Sequence, residues 1–86
     1  MNKPLVLVEW NDAQDFAESW VDAESAAEFG EVECRIRSVG YQISYTDKYL
    51  TIAGDYHAAE EDYGRVTKIP KGMVISIVQL TSQTPQ

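Results

Sequence analysis

The sequence predicts a mainly β protein: a small, five-stranded and strongly bent antiparallel barrel with one short helix. Apolar residues repeat at every second position over much of the chain, and β-branched residues are common in these stretches, as is typical of strands. In one short stretch before residue 30, the spacing of the apolar residues is typical of a helix. A long predicted strand over residues 31–46 changes its apolar side near a glycine. Strands that bend in this way let a small sheet curl onto itself.

The first strand is predicted over residues 5–10 (LVLVEW), a continuous apolar run with the length of a buried strand. A loop over residues 11–19 follows it, and then a short helix over residues 22–29 with a glycine directly after it. One helix over residues 13–29 is the alternative, because apolar residues also fall at helical spacing in the earlier part.

The second predicted strand is long and contains a defect. Two sets of apolar residues alternate along it, Val32, Cys34 and Ile36 on one side and Val39, Tyr41, Ile43 and Tyr45 on the other. The apolar side therefore changes near Ser38. A β-bulge or a sharp bend produces such a change, and Gly40 supplies a permissive residue beside it.

The remaining strands are predicted over residues 49–54, 65–69 and 73–80, and an acidic loop over residues 55–63 separates the first two. The Pro-Lys-Gly sequence at residues 70–72 predicts a tight turn, because proline fixes its φ and glycine tolerates a positive φ. We expect the last two strands to pair antiparallel across this turn. The last strand has apolar residues on both sides, which indicates that one side packs on the core and the other on a partner or another layer.

Length and composition indicate one small domain. The 86 residues allow a single domain over residues 1–80 and a polar tail over residues 81–86, which we expect to be disordered. The single cysteine, Cys34, excludes an internal disulfide framework and suits a reducing compartment. The sequence shows neither a secretory signal nor a long apolar segment, so we expect a soluble, cytoplasmic protein without membrane association.

Charge is unevenly distributed along the chain. The net charge is −7, and nine acidic residues but no basic residue lie from Glu9 to Glu33, whereas three basic residues and no acidic residue follow Asp62. Because a negative charge opposes non-specific binding to phosphate backbones, a nucleic-acid contact would use the basic end. Trp20 lies in the acidic stretch and has two interpretations: a core residue beneath the helix, or an exposed aromatic anchor for a partner.

Residues that support catalysis or metal binding are sparse. His57, the single histidine, lies in the acidic loop with Asp55, Glu60, Glu61 and Asp62. We interpret this loop as solvated charges, because its spacing fits neither a calcium loop nor a zinc site. The sequence also contains no glycine-rich phosphate loop and no evident pair of nucleophile and base. We therefore expect no enzyme activity, no catalytic or metal site and no cofactor.

Four features in the second half of the chain carry a family resemblance. They are a bent strand around a glycine, an aspartate at the next turn, a hydrophobic third strand, and an isoleucine, a basic residue and a glycine before a last apolar strand. The corresponding residues are Val39 to Ile43, Asp47, Leu50 and Ile52, and Ile69 to Leu80. With these features the chain resembles the Sm-like family of five-stranded, SH3-like barrels. The pattern with VEW, SVGY and IPKGM also resembles small bacteriophage proteins.

The resemblance implies both an assembly and a binding site. It implies a homo-oligomeric ring of about five to seven subunits, in which the last strand of one subunit pairs with a strand of the next. It also implies that Tyr45, Asp47, Lys48 and Lys71 face a pore and bind RNA or a nucleotide, with an aromatic ring on a base and lysines at phosphate. The ordinary interpretation, in which Asp47 and Lys48 only form a turn and Tyr45 packs in the sheet, stays open.

A second hypothesis belongs to a different functional class. In it the chain is an acidic phage accessory protein that acts in the host cytoplasm. It binds a basic site on a host protein through residues 9–33. Charge reversals at Asp22, Glu24 and Glu28 would then abolish binding, whereas Lys71→Ala would leave it unchanged.

Overall fold

The computed structural model describes residues 3–81 of the chain. In chain order, its elements are β1 (Leu5–Asn11), α1 (Ala23–Gly30), β2 (Arg35–Tyr45), β3 (Tyr49–His57), β4 (Asp62–Pro70), a 3₁₀ turn (Lys71–Met73) and β5 (Val74–Gln79). The mainly β fold with one short helix is confirmed. Within residues 3–81, no helix is long and apolar enough to cross a bilayer. The predicted tail lies outside the described residues except for Thr81.

The five strands form one antiparallel sheet in the order β4-β3-β2-β1-β5. The central strand β2 divides its pairing: residues 35–41 pair with β1, and residues 41–45 contribute the pairs with β3. The sheet therefore bends at Tyr41, and its two halves enclose a common core. Among the described strands, β4 and β5 each have one unpaired edge and do not pair with each other. The sheet is bent but not closed.

The connection between β4 and β5 shows that the sheet is curled. In a flat sheet, strands spaced about 4.8 Å apart would place the two outer strands about 19 Å from each other. Only Lys71–Met73 join them, and four Cα steps of about 3.8 Å reach no more than about 15 Å. The two outer strands are therefore drawn together at this end.

The last two strands do not pair as the sequence suggests. β4 pairs with β3, and β5 pairs with β1, so the predicted antiparallel pairing across the Pro-Lys-Gly turn is wrong. The turn itself is a 3₁₀ turn, and no glycine in residues 3–81 has a positive φ. The chain uses this short turn to pass from one outer strand to the other.

The hydrophobic core lies between the two halves of the sheet. Its buried side chains come from β1, β3 and β4, and the side chains packed against it come from β1 and β5. The buried set is Val6, Val8, Leu50, Ile52 and Ile69, and the surrounding set is Trp10, Val74 and Ile77. Because both halves of the sheet supply these residues, the core holds the bend together.

A register shift in β5 explains why this strand is apolar on both sides. The shift pairs Val74 with Trp10 and Ile77 with Val8. Direct partners on neighbouring strands share a face, so both β5 residues point to the core although they are three positions apart. Val78 lies on the outer face and is 52% exposed. In a single chain, the outer side of β5 is therefore not covered.

The irregularity in β2 does not lie where the sequence predicts it. β2 pairs regularly with β1 from Arg35 to Tyr41 and shifts register only between Gln42 and Ser44, against β3. The predicted bulge at Ser38 is therefore absent, whereas the alternative of a bend beside Gly40 agrees with the bend of the sheet at Tyr41. The apolar residue after Ser38, Val39, lies on the outer face, where it is 55% exposed.

A side chain at position 40 would clash with β3, so the bend requires a glycine there. A Cβ atom built on Gly40 would lie 2.7 Å from the carbonyl oxygen of Ala53 on β3, closer than carbon and oxygen tolerate without movement. Gly40 and Ala53 are both buried. The glycine therefore lets the backbones of β2 and β3 approach each other where β2 turns from one half of the sheet to the other.

Two regions differ most from the predicted element boundaries. β2 begins at Arg35 and not at residue 31, because Glu31 caps the end of α1. The acidic loop predicted over residues 55–63 is instead a hairpin with a turn of four residues, since β3 continues to His57 and β4 begins at Asp62. The sheet therefore ends in a two-stranded hairpin that projects beyond β2.

Residues 12–34 connect β1 to β2, and we call residues 12–33 of this connection the acidic arm. Its helix α1 begins after Asp22, whose carboxylate accepts a hydrogen bond from the Ser25 N–H at 2.8 Å. This bond lowers the pKa of Asp22. The prediction of a loop and a short helix is thus confirmed, and the single helix over residues 13–29 is wrong. The chain extends 58 Å along its longest axis.

Trp20 does not pack beneath the helix. Its side chain is 91% exposed, and no residue of α1 is buried. Inside the arm, the rings of Phe16 and Phe29 pack edge to face with their centres 5.1 Å apart. The interpretation of Trp20 as a core residue is therefore wrong.

Candidate functional site

Two turns meet at one end of the curled sheet. The first joins β2 to β3, and Thr46 builds it: its hydroxyl oxygen accepts hydrogen bonds from the N–H groups of Lys48 and Tyr49 at 3.1 and 3.0 Å. The second is the 3₁₀ turn, where the Lys71 N–H donates to the Lys48 carbonyl at 2.9 Å. The Thr46 hydroxyl thus fixes the first turn, and a backbone hydrogen bond holds the two turns together.

Lysine and tyrosine side chains gather around these two turns. The Lys71 ammonium lies 5.5 Å from the centre of the Tyr45 ring, and the Lys68 ammonium lies 4.6 Å from the centre of the Tyr49 ring. Both distances are within the range of cation–π contacts. Lys48 is exposed at the turn between the two pairs. We call these residues the lysine–tyrosine surface: Tyr45, Lys48, Tyr49, Lys68 and Lys71.

The two tyrosines lie on opposite faces of the β2–β3 hairpin. Tyr45 is directly opposite Leu50, which is fully buried in the core, so Tyr45 lies on the core side at the open end of the sheet. Tyr49 is the next residue along from Leu50 and therefore lies on the outer side, with Lys68. Tyr45 is 45% and Tyr49 is 39% exposed. The lysine–tyrosine surface thus wraps around the turn.

Three of the four residues implied by the family resemblance come together in this way. Tyr45, Lys48 and Lys71 belong to the lysine–tyrosine surface, and Asp47 is exposed beside Lys48 at the tip of the turn. Whether they bind a ligand stays a prediction.

Sequence reasoning missed Tyr49 and Lys68. A signal for Tyr49 was available, because a tyrosine stands on each side of the Thr-Asp-Lys turn. Lys68 required the register of the β3–β4 hairpin, which pairs it with Thr51, two residues from Tyr49.

Charge is segregated between the acidic arm and the rest of the chain. The arm contains eight acidic residues and no basic residue, whereas the remaining residues are seven basic and six acidic. The rest of the chain is therefore near neutral, at +1, although the whole chain carries −7. The negative net charge belongs to the arm and does not lie in the sheet that carries the lysines.

A groove of about 380 Å³ opens where β2 and β3 diverge, lined by Ser38, Val39, Ile52, Gly54, Arg65 and Thr67. Arg65 is its charged residue, and its guanidinium donates to the Asp55 carboxylate at 2.7 and 3.2 Å. These bonds lower the pKa of Asp55 and raise the pKa of Arg65. Because Asp55 neutralises this cation, the groove is a weaker anion site than the lysine–tyrosine surface.

The projecting hairpin carries an aromatic cluster and the single histidine. The rings of Tyr56 and Tyr63 lie 5.0 Å apart, and Tyr41 packs against both. Burial raises the pKa of Tyr63, with smaller contributions from the other two tyrosines. His57 Nδ1 lies 3.8 Å from a carboxylate oxygen of Asp62 across the hairpin. Residues 3–81 contain no group of three side chains placed to hold a metal ion.

Comparisons with protein-family models, with curated proteins and with solved structures found no match.

Proposed function

We propose that this chain is an Sm-like binding module, not an enzyme, that forms a homo-oligomeric ring and binds RNA or a nucleotide. Three lysines and two tyrosines lie around two linked turns, and this arrangement carries the binding part of the proposal. Lysine ammonium groups neutralise phosphates, and tyrosine rings stack on bases, so this combination suits a single-stranded nucleic acid. Tyr45 and Lys71 would form the centre of the site, with Lys48 beside them.

The unpaired outer strands support assembly. If β5 of one copy pairs with β4 of the next, each subunit uses each of its edges once. A contact of this kind is heterologous, and it produces a ring when the rotation between subunits closes. The proposed ring has about five to seven subunits, which is the range implied by the Sm-like resemblance. Closure would also remove two adhesive edges from solvent.

An apolar patch next to β5 adds to the case for assembly. Val39 and Val78 both pair with Leu7 on β1 and lie on the outer face. The Leu80 N–H donates to the Leu5 carbonyl at 2.8 Å. This bond extends the pairing of β5 with β1 and places Leu5 and Leu80 beside the two valines. Four residues of this patch, Leu5, Val39, Val78 and Leu80, are 37 to 55% exposed. An exposed apolar patch beside an open strand edge is typical of a surface that binds another chain.

The binding part can be tested with a fluorescently labelled, single-stranded RNA of mixed sequence, by anisotropy at low salt. We expect Lys71→Ala and Tyr45→Ala to weaken binding by about tenfold each, since one charge or one stacking ring is lost. Arg37→Ala is the matched control for lost charge: its side chain is 75% exposed on the outer face of β2, far along the strand from Tyr45. Equal losses in Arg37→Ala and Lys71→Ala would contradict a site at the turns.

A further inference from the structure

The acidic arm presents apolar side chains that nothing covers in the described chain. Trp20 is 91% and Val32 is 66% exposed, and no residue of α1 is buried. Tryptophan is the residue type most often found as an anchor at protein interfaces, where its ring fills a site on the partner. The arm therefore has the character of a docking segment with Trp20 at its centre.

The surface that complements this arm is present in the same chain. The arm carries eight acidic residues and no basic residue, and the lysine–tyrosine surface carries Lys48, Lys68 and Lys71. Lysine ammonium groups form ion pairs with carboxylates. They also make cation–π contacts with the face of an indole, which is the best aromatic partner of a cation. In charge and in aromatic content, the two surfaces therefore match each other.

In the proposed ring, the arm leaves its own sheet close to a neighbouring subunit. Trp10, one residue before the end of β1, pairs with Val74, the first residue of β5, so the arm leaves the sheet beside β5. In the proposed ring, β5 adjoins β4 of the next subunit, and that strand carries Lys68 and leads into Lys71. Within one chain, Trp20 does not contact these lysines closely, because its side chain is almost fully exposed.

We infer that the acidic arm of one subunit docks on the lysine–tyrosine surface of a second copy, with Trp20 as the anchor and the arm carboxylates paired with the lysines. This inference rests on the proposed ring. It gives the arm two roles: it strengthens the contact between subunits, and it competes with nucleic acid for the same lysines. Displacement of the arm then becomes a step in binding RNA.

The contact can be measured by sedimentation velocity of the full chain over a range of protein concentrations. Two variants test the arm, Trp20→Ala and the double variant Glu24→Lys/Glu28→Lys. We expect each to raise the dissociation constant of the assembly by about tenfold or more, because a buried anchor or several charge pairs are lost. We also expect the double variant to bind RNA more tightly than the unmodified chain.

A matched control carries the same change in charge at another place. Glu60→Lys/Glu61→Lys alters the turn of the β3–β4 hairpin, which lies outside the arm, and should leave the assembly constant within about twofold. Circular dichroism and thermal unfolding of each variant show whether it is folded, so that a loss of assembly is not mistaken for a loss of structure.

A mixing experiment identifies the occupant of the lysine–tyrosine surface. Lys68→Glu/Lys71→Glu should assemble as poorly as Glu24→Lys/Glu28→Lys when each is alone. An equimolar mixture should associate again, because the reversed arm of one copy then meets the reversed turn of the other. The two variants alternate in such an assembly, which closes into a ring when the number of subunits is even. No recovery in the mixture would overturn the inference.

The remaining outcomes separate the inference from the ring. If the unmodified chain forms a ring and neither arm variant changes it, the ring stands and the inference is wrong; the arm would then serve another occupant, such as a basic host protein. If the unmodified chain is a monomer at every concentration, both the ring and the inference are wrong.

Discussion

The ammonium group of Lys71 lies 5.5 Å from the centre of the Tyr45 ring, and this contact joins the last residue of β2 to the 3₁₀ turn. That turn is also the segment that draws β4 and β5 together. The same few residues therefore hold the curl of the sheet and present a cation beside an exposed ring. For this reason, variants at the site must be checked for stability before a change in binding is interpreted.

The salt dependence of RNA binding should report directly on Lys71. Each lysine that neutralises a phosphate of a single strand adds about 0.7 to the slope of log K against log salt concentration. We expect Lys71→Ala to lower this slope by about that amount, and Lys68→Ala to do the same. Titrations at several salt concentrations measure it, with Arg37→Ala as control. A slope unchanged by Lys71→Ala would mean that this lysine meets no phosphate.

Gly40→Ala should destabilise the fold. The added Cβ would lie 2.7 Å from the carbonyl oxygen of Ala53, in a part of the sheet that has no space to yield, so the free energy of unfolding should fall by about 1–3 kcal/mol. Gly72→Ala is the control, because no atom lies within 4 Å of the Cβ position there. Urea unfolding compares the two. Equal stability in both variants would show that the bend does not depend on close approach at Gly40.

Ser38→Ala should destabilise the fold, because it removes the hydrogen-bond acceptor of the Trp10 indole N–H. The Trp10 Nε1–H donates to the Ser38 hydroxyl at 3.0 Å, and the bond is partly buried. Its loss leaves the indole N–H unsatisfied against the core, which should lower the free energy of unfolding by about 1 kcal/mol. Ser44→Ala, at an exposed position of the same strand, should change it little. Tryptophan fluorescence during urea unfolding measures both.

The ion pair between Asp55 and Arg65 should make stability depend on pH in the acid range. Arg65 lowers the pKa of Asp55 below its ordinary value of 3.8, so the carboxylate binds a proton less readily in the folded than in the unfolded chain. Its contribution is therefore complete above pH 3.8 and is lost as the pH falls through the lower, folded value.

The test of this pH dependence compares the unmodified chain with Asp55→Asn by urea unfolding. The unmodified chain should be the more stable one near neutral pH, and the difference should disappear in strong acid. Arg65→Gln should remove the same pH dependence, because it removes the partner of the carboxylate. A difference between the unmodified chain and Asp55→Asn that persisted in acid would assign the effect to packing at the hairpin.

The sequence was a good guide where a pattern is local. The apolar run of β1, the helix after Asp22 and the positions of β3 and β5 follow from periodicity and capping, which depend on neighbouring residues. The pairing of β5 with β1 depends on residues far apart in the chain, so the turn after Pro70 could not reveal it. The hairpin over Tyr56 and Tyr63 was missed for a similar reason, because its rings stabilise it across the strands and its acidic composition is typical of a loop.

For the candidate site, the sequence pointed to Tyr45, Lys48 and Lys71 through a family resemblance, and the two turns that carry them meet. Lys68 and Tyr49 become neighbours only through strand register. The exposure of Trp20 could not be read from the sequence, because helical spacing around an aromatic residue is equally consistent with a buried position. The exposure of the Trp20 side chain, 91% in the structure, decides between the two.

Native mass spectrometry of the purified chain tests the central claim most directly, because it counts subunits and detects a retained ligand in one spectrum. The proposed ring through β4 and β5 predicts a closed assembly of about five to seven copies, with added mass of nucleotide size that Lys71→Ala reduces. A monomer or a simple dimer at all concentrations would contradict the proposed ring and with it the proposal of an Sm-like module.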